Sequence, residues 1–154
     1  MRQVSIAQRP GDLRRGAVAV EGAIVLSIFL GVLMTILDLS LAAARNNALT
    51  ECVRRAGRQA IVCGQRSPAS QRWGPVSWEG TAADSHPVAS VVRPLLVAMP
   101  PEDVQIRMTW PDGGIETGHR VRVELRYSQQ PTVPFLRGSG PWNLVATTTM
   151  RVVH

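Results

Sequence analysis

A run of uncharged residues from Gly22 to Leu37, with an acid placed directly in front of it, constrains this chain more than any other feature. Sixteen residues of helix cover about 24 Å, short of the roughly 30 Å hydrocarbon core of a bilayer. If the helix begins at Ala17 it reaches about 31 Å by Leu37, and the span closes only by taking Glu21 into the membrane. A carboxylate inside a transmembrane helix costs on the order of 2.5–3.5 kcal/mol on insertion scales, so such a group is usually paired or functional.

Proteolysis can supply the partner. A cut between Gly16 and Ala17 creates an α-amino group with an ordinary pKa of about 8, mostly protonated at neutral pH. Ala17 and Glu21 lie one helical turn apart, so the charges can neutralise each other within one chain or between staggered neighbours. A short basic leader, Gly at the cut, a small apolar residue after it, Glu at the fifth mature position and an apolar run is the pattern of type IV prepilins. The alternative for Glu21 is a carboxylate that snorkels to the cytoplasmic interface without a partner.

The chain has 154 residues, room for one small domain beside a membrane helix. Its net charge is +6. Residues 1–16 hold four arginines against one aspartate, +3, which leaves +3 on residues 17–154. That remainder is scattered, with no basic block and few aromatics, which argues against nucleic-acid binding. Arginines ahead of the apolar run and none inside it place the amino terminus in the cytoplasm and the rest outside the cytoplasmic membrane. Cys52 and Cys63 then fall in a disulfide-permitting compartment. On one unbroken helix their Cα atoms stand about 16.5 Å apart, too far for a bridge. They read as buried free thiols, with an intersubunit bridge, or an internal one made by breaking the helix at Gly57, as alternatives.

The chain divides into a cytoplasmic leader without periodicity (1–16), a transmembrane helix (17–40), an amphipathic continuation (41–63), a loop (64–84) and an extracytoplasmic α+β domain (85–154). In the continuation Leu41, Ala44, Ala48, Leu49, Cys52, Val53, Ala56, Ala60 and Cys63 form one stripe. Asp38 reads as a mark of the outer membrane boundary. Gly22 and Gly31 allow close helix packing, although GxxxG spacing is absent. Trp73 and Trp78 can pin the loop. A short helix capped by Ser85 or Asp84 and interrupted at Pro94 presents Val88, Val91, Val92, Leu95, Leu96 and Met99.

Three strands follow. Val104, Ile106, Met108 and Trp110 alternate with polar residues up to a turn at Pro111-Asp112-Gly113-Gly114. Val121, Val123, Leu125 and Tyr127 give the clearest period of two. Asn143 to Val153 puts Leu144, Ala146, Thr148, Met150 and Val152 on one face. Pro131 to Leu136 carries two prolines and is excluded from a ladder; it is expected to cap one end of the core with Phe135 and Leu136. The expected fold is α+β and pilin-like: a long amino-terminal helix packed on a small three-stranded antiparallel sheet with a short additional helix.

No catalytic constellation emerges, and the chain is not expected to be an enzyme. His86, His119 and His154 share no ligand spacing, so no metal site and no cofactor is expected.

The chain resembles the TadE-like pseudopilin (minor pilin) family of tight-adherence (Tad, or Flp) pilus systems. The likeness rests on Arg15-Gly16 followed by Val20-Glu21 and the apolar run, on Ala56-Gly57-Arg58-Gln59-Ala60, and on Val121 to Tyr127, Pro134-Phe135-Leu136 and Ala146 to Arg151. The resemblance implies processing by a membrane prepilin peptidase at Gly16 and Ala17, with Glu21 as the assembly carboxylate. It implies as partners other Tad pilins and pseudopilins, the inner-membrane assembly platform and the membrane, in fibres used for adhesion or secretion. Two rivals are a secreted protein cut after Ala42-Ala43-Ala44 by signal peptidase and an uncleaved signal anchor presenting a binding domain. Glu21 and Asp38 bracketing the apolar core, and a helix continuing through the supposed cut, weigh against the first.

Overall fold

The computed structural model describes residues 10–134 and 136–153. Residues 1–9, Phe135 and His154, on which parts of the sequence reading fall, lie outside them.

Helix α1 runs without a break from Pro10 to Val62, about 80 Å at 1.5 Å per residue. It therefore starts before the leader's end at Gly16: residues 10–16, expected to lack regular structure, continue the same helix. Most of its amino-terminal part is exposed. Val18, Ile24, Ile28 and Leu37 are each more than half exposed, and the stretch is long and apolar enough to cross a membrane. The two hydroxyls inside the run are internally satisfied. Ser27 donates to the Ala23 carbonyl and Thr35 to the Gly31 carbonyl, each at 2.8 Å, as required where no water competes.

The second half of α1 is the spine of the domain. Leu49, Cys52, Val53, Ala56, Ala60 and Cys63 are buried against the sheet and α2 (Pro87–Val92). Ala44, assigned to this stripe by spacing, is exposed. Arg45 is half-buried in its stead. Its guanidinium lies 5.3 Å from the ring centre of Tyr127 and donates to the Ala98 carbonyl at 2.7 Å. The long stem and cation–π contact let a charged residue take a position that an apolar count gives to alanine.

The sheet has four strands, all antiparallel, in the order β1 (Trp78–Thr81), β2 (Val104–Thr109), β3 (Arg120–Gln129), β4 (Trp142–Arg151). The fold class is α+β as expected, with one strand more than the three read from the sequence. β1 lies inside the segment read as a loop. Only four residues long and including Gly80, it has no pattern of its own and gains its ladder from β2, with Trp78 opposite Met108 and Gly80 opposite Ile106. The β2–β3 connection spans residues 110–119, longer than a tight hairpin, with Gly113 at φ 74° where a side chain would be strained. On β3 Val121, Val123 and Leu125 are fully buried.

Two further local details differ from expectation. The cap of α2 is His86, whose Nδ1 accepts from the Val88 N–H at 3.3 Å; Asp84 accepts from the Thr81 N–H at 2.7 Å instead. The His86 ring stacks on Trp78 with centroids 4.2 Å apart, while the Trp73 side chain is buried in the core and its backbone N–H donates to the Cys63 carbonyl at 2.9 Å. Both indoles thus tie residues 64–84 to the domain.

Gly57 does not break the helix. A Cβ built there would stand 2.9 Å from Thr148 Cγ2 and 3.1 Å from Met150 Sδ on β4, so the missing side chain is what lets helix and sheet meet. Gly57→Leu is expected to destabilise the domain by about 2 kcal/mol or more, because overpacking outweighs the gain in helix propensity; the denaturation midpoint in detergent measures it. At the far end of the sheet, Asp112 accepts from the Arg120 N–H at 2.8 Å and pairs with its guanidinium at 2.7 Å. Those bonds hold its carboxyl down at about 2. A depressed acid stabilises the fold above its unfolded pKa of about 3.9 and loses that contribution as pH falls toward 2. Thermal midpoints measured between pH 4 and 2 are expected to fall less steeply in Asp112→Asn than in the parent.

Candidate functional site: the membrane helix and its aspartate clamp

Gly16, Ala17 and Glu21 all lie on exposed helix. Ala17 and Glu21 are one turn apart on continuous α1, the spacing at which a charge created at residue 17 faces the Glu21 carboxylate. Among the described residues Glu21 has no hydrogen bond or ion pair. Cys52 and Cys63 are both buried and unbridged. Cys52 Sγ lies 3.9 Å from the Val92 carbonyl, and burial pushes its thiol up to about 11, far from the range of a reactive thiolate. Gln59 Nε2 donates to Cys63 Sγ at 3.7 Å.

Asp38 is the residue that sequence reasoning undervalued. Taken as a solvated boundary mark, it is 5% exposed. Its Oδ2 accepts from the backbone N–H of Thr132 at 2.9 Å and of Val133 at 3.0 Å. A short loop between Pro131 and Pro134 is thereby fastened to α1. The reason such a bond forms is local: two prolines keep the loop out of any ladder, so its N–H groups need an acceptor, and a carboxylate accepts both. Its partners are 94 and 95 residues away, so no spacing rule reveals the pair. The only signal available was an acid on the helix face that also carries Gly31 and Thr35.

The loop does not simply close the end of the core. It reaches down α1, and Thr132, Val133 and Pro134 share an apolar groove with Ser27, Leu30, Gly31 and Met34. Gly31 and Thr35 are half-buried there while their neighbours stay exposed. Val133 is buried, and Leu136 is half-buried.

Chemically, this arrangement anchors and orients. Among the described residues no group of three or more His, Cys, Asp or Glu could hold a metal ion. Asp38→Ala strands two N–H groups, each costing about 1–3 kcal/mol when buried. It is expected to lower the thermal midpoint in detergent clearly, and Asp38→Asn, whose amide oxygen still accepts, by less; equal midpoints for all three proteins would show that the clamp contributes nothing.

Residues 16–58 match the family model described as TadE-like protein. The match begins at Gly16, takes in Glu21, Asp38 and Arg45, and ends on the sheet-facing turn that holds Gly57. No curated protein and no solved structure matches the chain. The likeness to TadE-like proteins thus lies in the long amino-terminal helix, residues 16–58, and does not extend over the sheet.

Proposed function

We propose that this chain is a minor pilin, or pseudopilin, made as a precursor, cut between Gly16 and Ala17 by a prepilin peptidase, and used in assembling a Tad-type pilus. One observation carries the reading: Glu21 stands on the exposed apolar part of α1, one turn beyond Ala17. A lone carboxylate on a helix built for lipid is costly, and an α-amino group at residue 17 of the same or a neighbouring subunit answers that cost. The match over residues 16–58 supports the same assignment.

In this reading the amino terminus faces the cytoplasm and the domain after α1 lies outside the inner membrane, following the arginines ahead of the apolar run. The partners are the prepilin peptidase, the other Tad pilins and pseudopilins, and the inner-membrane assembly platform. The protein is a structural subunit rather than an enzyme, serving adhesion or secretion through the fibre. The rival reading, a secreted or anchored binding protein, requires a cut at Ala44 or none. A cut at Ala44 would separate the domain from Asp38, which holds the Pro131–Val133 loop.

The mass of the mature chain from its native host is expected to begin at Ala17. A start at Arg45 assigns a signal peptidase instead, and a start at Met1 an uncleaved anchor. Glu21→Ala is expected to remain inserted in the membrane while losing incorporation with other pilins, read by co-purification; undiminished incorporation would remove the pairing role of the carboxylate.

A further inference from the structure

Pro131–Pro134 is irregular backbone lying alongside a helix read as transmembrane. From Asp38 down to Gly31 is about 10 Å along α1, and to Ser27 about 16 Å. With the hydrocarbon spanning Ala17 to Leu37, the groove of about 490 Å³ shared by Ser27, Leu30, Met34, Val133 and Pro134 falls in the outer half of the bilayer. Irregular backbone at that depth is tolerated only if its polar groups are satisfied without water.

The N–H groups of Thr132 and Val133 meet that condition. Pro131 and Pro134 have no N–H to satisfy. Thr132 and Val133 donate to Asp38. Leu136 donates to the Val133 carbonyl at 3.0 Å and Arg137 to the same oxygen at 3.3 Å. The Arg137 guanidinium turns back to the Pro131 carbonyl at 3.3 Å and acts electrostatically on Asp38. The two charges thus stay together at the upper rim of the loop, and Val133 and Pro134, which line the groove below them, are apolar.

We propose that Pro131–Pro134 is a second membrane contact: a loop that dips into the outer leaflet beside α1, its tip Val133-Pro134 covered by lipid acyl chains and its position set by Asp38. The proposal rests on α1 crossing the bilayer, and not on cleavage or pilus assembly. The domain is then held at the surface by two elements, which fixes its tilt and its azimuth about the helix axis as a single helix cannot.

Depth-dependent quenching tests this. Single cysteines are placed at Pro134, at Leu26 within the span and at Thr117 on the distant β2–β3 connection, and labelled with an environment-sensitive fluorophore; the buried Cys52 and Cys63 are left in place and an unsubstituted chain gives the background. The full chain is reconstituted at low density in phosphatidylcholine vesicles carrying doxyl-labelled acyl chains. Quenching at 134 is expected to match that at 26, with none at 117. Thr132→Cys, which keeps the backbone N–H, repeats the test where loss of the proline disturbs the loop. Asp38→Ala combined with the 134 label is expected to reduce quenching there and leave 26 unchanged. Quenching at 26 with none at 134 or 132 overturns the lipid contact, including the case in which a neighbouring protein covers the tip. Undiminished quenching at 134 in Asp38→Ala overturns the role of the clamp. No quenching at 26 removes the transmembrane reading and this proposal together, whereas failed processing at Ala17 would leave the quenching pattern intact.

Discussion

One continuous helix is apolar over its first half and amphipathic over its second, and the rest of the structure accommodates that change. From Gly16 to Leu37 α1 exposes apolar side chains on nearly every face, as a helix able to cross a membrane does. From Leu49 onward the same helix buries one stripe and wets the other, the pattern of a helix on a sheet. Asp38 sits where the first regime ends, and it is there that a loop from the far side of the sheet returns to the helix. A carboxylate bonded to two peptide N–H groups is among the stronger hydrogen-bonded arrangements open to a protein, and it holds the two halves of the molecule in one register.

Packing on the head side follows from small residues. Ala56, Gly57 and Ala60 are buried on the helix face, and at Gly57 the approach of Thr148 and Met150 leaves no room for a methyl group. A sheet of three longer strands and one four-residue edge cannot bury much on its own. Bringing the helix close to β3 and β4 makes the core continuous from Leu49 through Val123 and Leu125 to Val88.

Much of this was legible in the chain itself, for identifiable reasons. β3 is visible because its alternation over ten residues reflects one buried and one solvated face, and β4 because Leu144 to Val152 keep the same period. The cysteine and alanine stripe on α1 is visible because helical spacing repeats it. What escaped depends on partners remote in sequence. Trp78 to Thr81 becomes a strand only when β2 offers its edge; Ala44 yields to Arg45 because Tyr127 offers an aromatic face; His86 replaces Asp84 as the cap because Thr81 already engages that aspartate. Asp38 escaped for the same reason in its strongest form, since neither Thr132 nor Val133 announces a need for an acceptor. The roles proposed for Gly16, Ala17 and Glu21, by contrast, draw on local order alone, since all three lie exposed on α1.

The absence of any interruption in α1 between Pro10 and Val62 carries a mechanical consequence. A kinked or jointed helix bends where its backbone bonds are missing, and tension applied at one end is dissipated there as rotation. Here the ladder of peptide hydrogen bonds is unbroken, so a pull on the sheet domain is carried along the axis of α1 to its apolar end instead of being released at a joint.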